Sequence, residues 1–143
     1  MTQEEKQLLL KDLCARLHCG VKVSIIAHNL DYERDFEKII IAELVGIHTA
    51  KEDDGTTHTC FITCYDEFKT QGNDINTIKP YLRPMSSMSR NESFELGEIM
   101  LDLGSSNVMT NIIDFYNAHH LDHRGLIEKG LALESPEGMY KTE

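Results

Sequence analysis

The sequence predicts an α+β fold: an N-terminal helix, a small antiparallel sheet of three or four strands, two C-terminal helices and an irregular packed tail. Apolar residues recur at three- and four-residue spacing near the N-terminus and in the C-terminal half, which is typical of helices. Between these segments they alternate with polar residues or form short apolar runs, which is typical of strands. Short turns join the strands, so neighbouring strands are expected to pair antiparallel.

The first helix is predicted from the N-terminus to Gly20. Thr2 and Glu5 have the spacing of a capping box, in which both side chains satisfy backbone N–H groups at a helix start. Gly20 can adopt the left-handed conformation that ends many helices. The apolar residues of the segment form one stripe, which indicates packing on a sheet. This stripe contains Leu9, Leu10, Leu13 and Leu17.

The first two strands differ in their apolar pattern. Residues 21–27 alternate between apolar and polar, which predicts a strand with one buried face. Residues 36–48 are apolar at both parities, which predicts a central strand that is covered on both faces. Asp54 and Gly55 then predict a hairpin turn.

Two further strands complete the predicted sheet. The third is expected at residues 58–65, and a short fourth at residues 75–79, where Pro80 would end it. The pattern is compatible with an open sheet and with one that curls into a partial barrel.

The C-terminal half is predicted to begin with two helices. Ser89 and Glu92 form another capping box, and Ser105 or Ser106 is expected to cap the last helix. From Arg124 onward, glycines and prolines interrupt an apolar sequence, which predicts an irregular but packed tail. The predicted buried stripes are Leu96, Ile99, Met100 and Leu103 on one helix, and Val108, Ile112, Phe115, Tyr116 and His119 on the other.

Length and composition favour a single globular domain over residues 1–143. The chain is 41% hydrophobic and 27% charged, which is close to globular averages. Its 24 acidic and 14 basic residues give a formal net charge of −10. Such a surface repels phosphate groups, so no direct nucleic-acid binding is expected, whereas a basic protein partner would suit it.

The compartment is expected to be the cytoplasm. No apolar run approaches the length of roughly 18–20 residues that spans a bilayer, so no membrane association is predicted. The N-terminus reads MTQEEK, without the basic and apolar regions of a signal peptide. The four cysteines include no CxxC pair and are interpreted as reduced thiols.

Two peptide runs carry a resemblance to known sequences: IKPYLRPMSSM at residues 78–88 and DFYNAHHLDHRGLIEKGLALESPEGMY at residues 114–140. They resemble a family of small proteins from gut bacteria of the Bacteroides group and their phages. Those relatives read KPYLRPMSSM, then HFDYRGLI, then GLALEAPEGMY. The family has no assigned activity, so the resemblance implies a phage or mobile-element setting and no particular chemistry.

The family motif also bears on individual residues. Asp122 and Arg124 match it, together with Gly125, whereas the relatives have Phe in place of Leu121 and Tyr in place of His123. An aromatic ring at the latter position is what a packing role predicts. We also expect the two runs to pack against each other and on the sheet, with Tyr81, Leu82, Tyr116, Leu126 and Ile127 largely buried.

The candidate functional residues form two overlapping sets. Binding candidates are Arg83, Tyr81, Asp122 and Arg124, although Asp122 could instead cap a turn, and each arginine could pair with a nearby carboxylate. Metal-ligand candidates are His119, Asp122 and His123, because histidines four residues apart share one face of a helix. No HExxH sequence is present, so a metalloprotease motif is excluded.

Two functional hypotheses follow from the sequence. The first is a non-enzymatic accessory protein of a phage or mobile element that acts through protein–protein interaction. The alternative is a metal-dependent or hydrolytic enzyme centred on residues 119–123. No cofactor is expected, because no phosphate-binding or dinucleotide-binding motif occurs. An unpaired sheet edge would also allow a homodimer.

Overall fold

The computed structural model describes residues 1–29, 36–102, 104 and 106–140 of the chain. Its contacts fall into two compact units, Met1–Tyr81 and Leu82–Glu143. The α+β class is confirmed, and the single domain over residues 1–143 stays a prediction. No helix in the described part of the chain is long and apolar enough to cross a bilayer.

The first unit consists of one helix and most of the sheet, and the second unit contains the other two helices. The elements of the first unit are α1 (Gln3–Arg16), β1 (Lys22–Asn29), β2 (Phe36–Lys51), β3 (Thr57–Tyr65), β4 (Lys69–Asn73) and β5 (Lys79–Leu82), whose last residue belongs to the second unit. The second unit continues with α2 (Arg90–Leu101), α3 (Val108–Ala118) and β6 (Leu133–Glu134).

The first helix forms as the sequence predicts. The Glu5 amide donates to the Thr2 hydroxyl at 3.1 Å, and the Thr2 amide donates to the Glu5 carboxylate at 2.7 Å. Leu9 and Leu13 are fully buried, so this stripe faces the core of the unit. After a single 3-10 turn, Gly20 takes the left-handed conformation with φ of 68°.

The sheet is larger than predicted. Among the described residues it has six strands in the order β4-β3-β2-β1-β5-β6, and it does not close into a barrel. The expectation of three or four strands was too low, because two strands lack the apolar pattern on which it relied. β4 reads KTQGN, and β6 has only two residues.

The fourth strand was predicted at the wrong place. Ile75–Thr77 forms a 3-10 turn, because the Asp74 side chain accepts a hydrogen bond from the Asn76 amide at 2.8 Å. The strand begins only at Lys79 and continues through Pro80, which pairs with Val23 of β1. Pro80 therefore lies inside the strand that it was expected to end.

Strand β2 is covered on one face rather than on both. Ala42 and Leu44 are buried, whereas Ile39 is 72% exposed and Ile41 is 49% exposed. The prediction of a doubly covered central strand was therefore wrong. A β-bulge between Leu44 and Gly46 adds one residue, Val45, which is also 49% exposed. The apolar residues at both odd and even positions thus reflect an open apolar face, since no described element of the first unit covers it.

The second unit has its own apolar core. Leu96 of α2, Phe115 of α3 and Leu121 form its centre, and partly buried methionines such as Met85 and Met88 pack around it. The cap of α3 is Asn107 rather than Ser106, while Ser105 lies outside the described residues.

Two buried-residue predictions for this unit hold only in part. Met100 is 44% exposed and so does not belong to the buried stripe of α2, and Leu103 lies outside the described residues. The tail is irregular and packed, as predicted, with Leu126 fully buried. Five residues of the two distinctive runs were expected to be largely buried. Leu82 and Leu126 are buried, whereas Tyr81, Tyr116 and Ile127 are half-buried.

Candidate functional site

The second unit contains a buried ion pair between Arg83 and Glu92. Two nitrogens of the guanidinium lie 2.7 and 2.8 Å from the two oxygens of the carboxylate, in a bidentate arrangement. Both side chains are nearly inaccessible, at 6% and 2% exposure. The guanidinium also donates to the carbonyls of Ser87 and His119 at 3.0 and 3.1 Å. Arg83 thus joins three segments of the unit.

Glu92 has a second role at the start of α2. Its carboxylate accepts from the Ser89 amide at 2.8 Å, and its own amide donates to the Ser89 hydroxyl at 3.2 Å. This is the predicted capping box. The side-chain hydrogen bond from Arg83 is the main reason why the pKa of Glu92 falls from its ordinary value of 4.5 to about 2, although burial acts in the opposite direction.

His119 completes this centre at the end of α3. Its Nδ1 lies 2.7 Å from a Glu92 oxygen, and its ring packs against Phe115 with centroids 4.3 Å apart. Its Nε2 lies 3.9 Å from the Glu95 carboxylate. The imidazole therefore lies between two carboxylates of α2, and its side chain is 29% exposed.

Backbone hydrogen bonds join the two distinctive peptide runs next to this centre. The Arg83 amide donates to the His120 carbonyl at 2.7 Å, and the Asp122 amide donates to the Arg83 carbonyl at 2.8 Å. A further bond runs from the Ser135 amide to the Leu82 carbonyl at 2.8 Å. The runs therefore contact each other within the second unit, as the sequence predicted.

Asp122 caps a turn of the tail. Its two carboxylate oxygens accept from the Leu126 and Ile127 amides at 2.8 and 2.9 Å, and the residue is only 9% exposed. This arrangement corresponds to the turn-capping alternative that the sequence left open. The carboxylate holds the tail in place, because it satisfies two amides that would otherwise be buried without partners.

His123 and Arg124 both contact residues of α3. The imidazole of His123 stacks on Tyr116 with ring centroids 5.2 Å apart, and its Nε2 lies 3.1 Å from the Asn117 side-chain oxygen. Nη1 of Arg124 lies 3.0 Å from the same Nε2. This stacking agrees with the packing role that the sequence predicts for His123.

The three metal-ligand candidates have separate partners. His119 contacts Glu92, Asp122 accepts from the tail amides, and His123 contacts Asn117. Within the described residues, no group of three His, Cys, Asp or Glu side chains is arranged to hold a metal ion. A metal site on His119, Asp122 and His123 stays a prediction.

One of the four binding candidates lines a described cavity of the second unit. Tyr81 lies half-buried on β5 in the first unit. A cavity of the second unit is lined by Arg83 and by tail residues that include Glu134, Glu137 and Tyr140, but Asp122 and Arg124 do not line it. Arg83 is therefore the only one of the four binding candidates at this cavity.

Sequence reasoning missed an exposed apolar surface in the first unit. Ile26 lies opposite Ile39 across β1 and β2, and Glu43 lies opposite Cys64 across β2 and β3. Because side chains alternate between the two faces of a strand, one face carries apolar residues from all three strands. We call this surface the outer face, and it contains Ile26, Ile39, Ile41, Val45 and Ile62.

The outer face has little charge of its own but is bordered by acidic turns. Glu43 and Lys22 are cross-strand partners on this face, so their charges offset each other. The turns at the ends of β3 carry exposed carboxylates. These are Glu52, Asp53 and Asp54 before β3, and Asp66 and Glu67 after it.

One signal could have improved the sequence interpretation. Ile39 and Ile41 alternate with Ile40 and Ala42 along this segment, and a strand with one solvated face explains that pattern as well as a fully buried strand does. The capping box identified Glu92, but nothing in the local pattern indicated its ion pair with Arg83, nine residues earlier.

Comparison with protein-family models, with curated proteins and with solved structures gives no match for this chain.

Proposed function

We propose that this chain is a non-enzymatic accessory protein that acts by binding another protein, and that the outer face is its binding surface. The observation that supports this proposal is the exposed apolar face of β2, where Ile39 is 72% exposed and Ile41 and Val45 are each 49% exposed. Large exposed apolar patches on soluble proteins mark interaction sites, because water leaves them when a partner docks.

The arrangement of these residues matters more than their number. Single exposed apolar side chains are common and carry no functional meaning. Here the register places Ile26 beside Ile39 and brings β3 residues next to Glu43, so the patch crosses three strands. A continuous patch of this kind resembles the apolar centre of a protein interface.

The charge of the chain indicates which partner would fit. The net charge is −10, and exposed carboxylates border the outer face at the turns around β3. A partner with an apolar centre surrounded by lysines and arginines would match both features. A second copy of the chain would bring two charges of −10 together, and a nucleic acid would bring phosphates, so both are disfavoured.

The setting belongs to the same proposal. The resemblance of residues 78–88 and 114–140 to phage-associated proteins supports a phage or mobile-element origin. Four free cysteines support a reducing compartment, and the proposed location is the cytoplasm of the host cell.

Site-specific photo-cross-linking in host cells tests the binding surface. A photoreactive amino acid at Ile41 should give a cross-linked adduct with one basic protein. The same amino acid at Leu101, which is 78% exposed in the second unit, is the matched control and should give no such adduct. Equal adducts at both positions, or an adduct only with a second copy of the chain, would contradict the proposal.

Binding to the purified partner then measures the contribution of the face. The double variant Ile39→Lys and Ile41→Lys should weaken binding at least ~30-fold, because charges replace the centre of an interface. Leu101→Lys should leave the affinity unchanged. Affinity for the parent chain should fall as salt is added, because exposed charges contribute to the complex. Both lysine variants should keep the parental circular dichroism spectrum, since the replaced side chains are exposed.

A further inference from the structure

We propose that the cavity of the second unit binds an organic cation, either an ammonium or a guanidinium group. This binding site is separate from the outer face and goes beyond the proposed function. The cavity has a volume of about 300 Å³, which is at the lower end of ligand pockets in proteins. Pro84, Pro136 and Tyr140 give it apolar walls, and Glu134 and Glu137 give it carboxylates.

The walls of the cavity are held by hydrogen bonds and by ring stacking. The Ser135 amide donates to the Leu82 carbonyl at 2.8 Å, and the Met139 amide donates to the Pro136 carbonyl at 3.2 Å. Gly138 closes this turn with φ of 83°, a conformation that side-chain-bearing residues rarely adopt. Tyr140 stacks on His120, with ring centroids 3.7 Å apart. A preformed wall lowers the entropy that a ligand must lose to bind.

Arg83 lines the cavity but does not make it an anion site. Its guanidinium already forms two hydrogen bonds with the Glu92 carboxylate and two with backbone carbonyls. Glu92 therefore neutralises its charge, and the side chain is only 6% exposed. An incoming carboxylate or phosphate would have to compete with a bidentate partner that is itself buried.

The remaining charges of the lining are negative. Glu134 and Glu137 are both exposed at the cavity, and no other lining residue besides Arg83 is basic. The ring of Tyr140 adds a π-system, and aromatic faces attract ammonium and guanidinium groups. Carboxylates and an aromatic ring together recognise a cation that carries N–H donors.

Nuclear magnetic resonance titration of the full chain tests this assignment. Butylguanidinium and butylammonium should each shift the amide signals of Ser135, Gly138 and Tyr140 in a saturable manner. Butyrate has a similar alkyl chain with the opposite charge and should leave these signals in place. Saturable binding of butyrate, or failure of both cations to bind, would overturn the proposal.

Charge-neutral variants identify the recognition groups. The double variant Glu134→Gln and Glu137→Gln should weaken binding of butylguanidinium about tenfold, since each exposed ion pair contributes a factor of roughly two to five. Glu128→Gln is the matched control, because Glu128 is an exposed carboxylate of the same tail outside the cavity, and it should bind like the parent. An unchanged affinity in the double variant would contradict the role of the carboxylates.

Variants of Tyr140 test the aromatic wall separately. Tyr140→Phe keeps the ring and should bind as the parent does, whereas Tyr140→Leu should bind roughly two- to fivefold more weakly. Equal affinities for the leucine and phenylalanine variants would remove the ring from the recognition mechanism. The NMR spectrum of each variant without ligand reports whether the tail keeps its fold. If it does, the amide signals of tail residues outside the cavity stay at their parental positions.

The titration also distinguishes the source of the cation. A blocked Gly-Arg-Gly peptide presents the same guanidinium as an arginine side chain of a protein. Tighter binding of the peptide than of butylguanidinium indicates a side-chain ligand, and weaker binding indicates a free small molecule. Both results support a cation site, whereas binding of neither probe contradicts it.

Discussion

The two units of the molecule are stabilised by different kinds of interactions. In the first unit, apolar residues of α1 and of alternate strand positions form the core, and its buried ion pair joins Asp12 to Arg16 within one helix, at 2.9 Å. In the second unit, the buried ion pair joins Arg83 to Glu92 and also contacts His119. The buried ion pair of the first unit thus lies within a single helix, whereas that of the second unit connects residues that are far apart in the sequence.

The strongest test of this comparison removes the charge of Glu92. Glu92→Gln should lower the free energy of unfolding by ~3–5 kcal/mol, because it leaves the buried Arg83 charge without its partner. Urea denaturation measures the loss. The control is Glu95→Gln on the same helix, whose exposed side chain should change the value by no more than about 0.5 kcal/mol. Similar losses in both variants would show that the ion pair does not hold the unit together.

Hydrogen exchange adds detail to the same comparison. Glu92→Gln should speed exchange of the amides of Arg83, Glu92 and Leu121, which lie in three segments. Asp12→Asn should speed exchange mainly within α1, since Asp12 and Arg16 lie on that helix.

The next prediction concerns the packing of the tail. Leu126→Ala should cost ~2–5 kcal/mol, because it leaves a cavity at a side chain that is fully buried. Thermal and urea unfolding measure the cost, and Leu101→Ala, at a side chain that is 78% exposed, serves as control. If Leu126→Ala unfolds no more readily than the parent, the tail is a displayed segment rather than a packed one.

Acid should weaken the second unit through Glu92. The pKa of this carboxyl falls to about 2 in the folded chain, from an ordinary value of 4.5 that applies when unfolded. A depressed pKa stabilises the fold above the unfolded value, and this stabilisation disappears as pH falls through the folded value. At most about 3 kcal/mol should be lost between these two pH values. Unfolding measured against pH should show a smaller loss in Glu92→Gln than in the parent.

The outer face should contribute little to folding. Ile41→Thr keeps a β-branched side chain and should change the free energy of unfolding by no more than about 0.5 kcal/mol. Ile25→Thr is the matched change on the inner face of β1, where the side chain is 1% exposed, and it should be clearly destabilising. Equal costs at both positions would mean that the outer face is covered in solution.

Zinc should have the smallest effect. Both carboxylate oxygens of Asp122 already accept backbone hydrogen bonds, so we expect no change in the melting temperature of untagged protein when zinc or a chelator is added. A higher melting temperature with zinc, lost in His123→Ala, would instead support the metal hypothesis for His119, Asp122 and His123.

Features that depend on neighbouring residues could be predicted from the sequence. The two capping boxes and the left-handed Gly20 follow from short motifs with known backbone geometry, and all three are present. β4 could not be predicted from its own residues, because its KTQGN sequence depends on pairing with β3. The apolar residues of β2 can be identified from the sequence. Whether their side chains are exposed depends on which other elements cover the sheet, and the sequence of β2 does not contain that information.

The candidate site could be predicted only as a set of residue names. The sequence identified Arg83, Asp122 and Arg124, but the partners of Arg83 lie at distances along the chain that no periodicity encodes. Arg83 finds Glu92 and the carbonyl of His119, which is 36 residues away. The turn-capping role of Asp122 was among the alternatives, because aspartate often accepts hydrogen bonds from nearby amides.

The double role of Glu92 constrains how this sequence can evolve. One side chain starts α2 through Ser89 and neutralises Arg83, so no single substitution can optimise either task without affecting the other. A neutral residue in place of Arg83 would make Glu92 a buried charge that selection should remove, which in turn would cost the helix its cap. We therefore expect positions 83, 89, 92 and 119 to change together among descendants of this chain. Neutral drift at any one of them would require a compensating change at another.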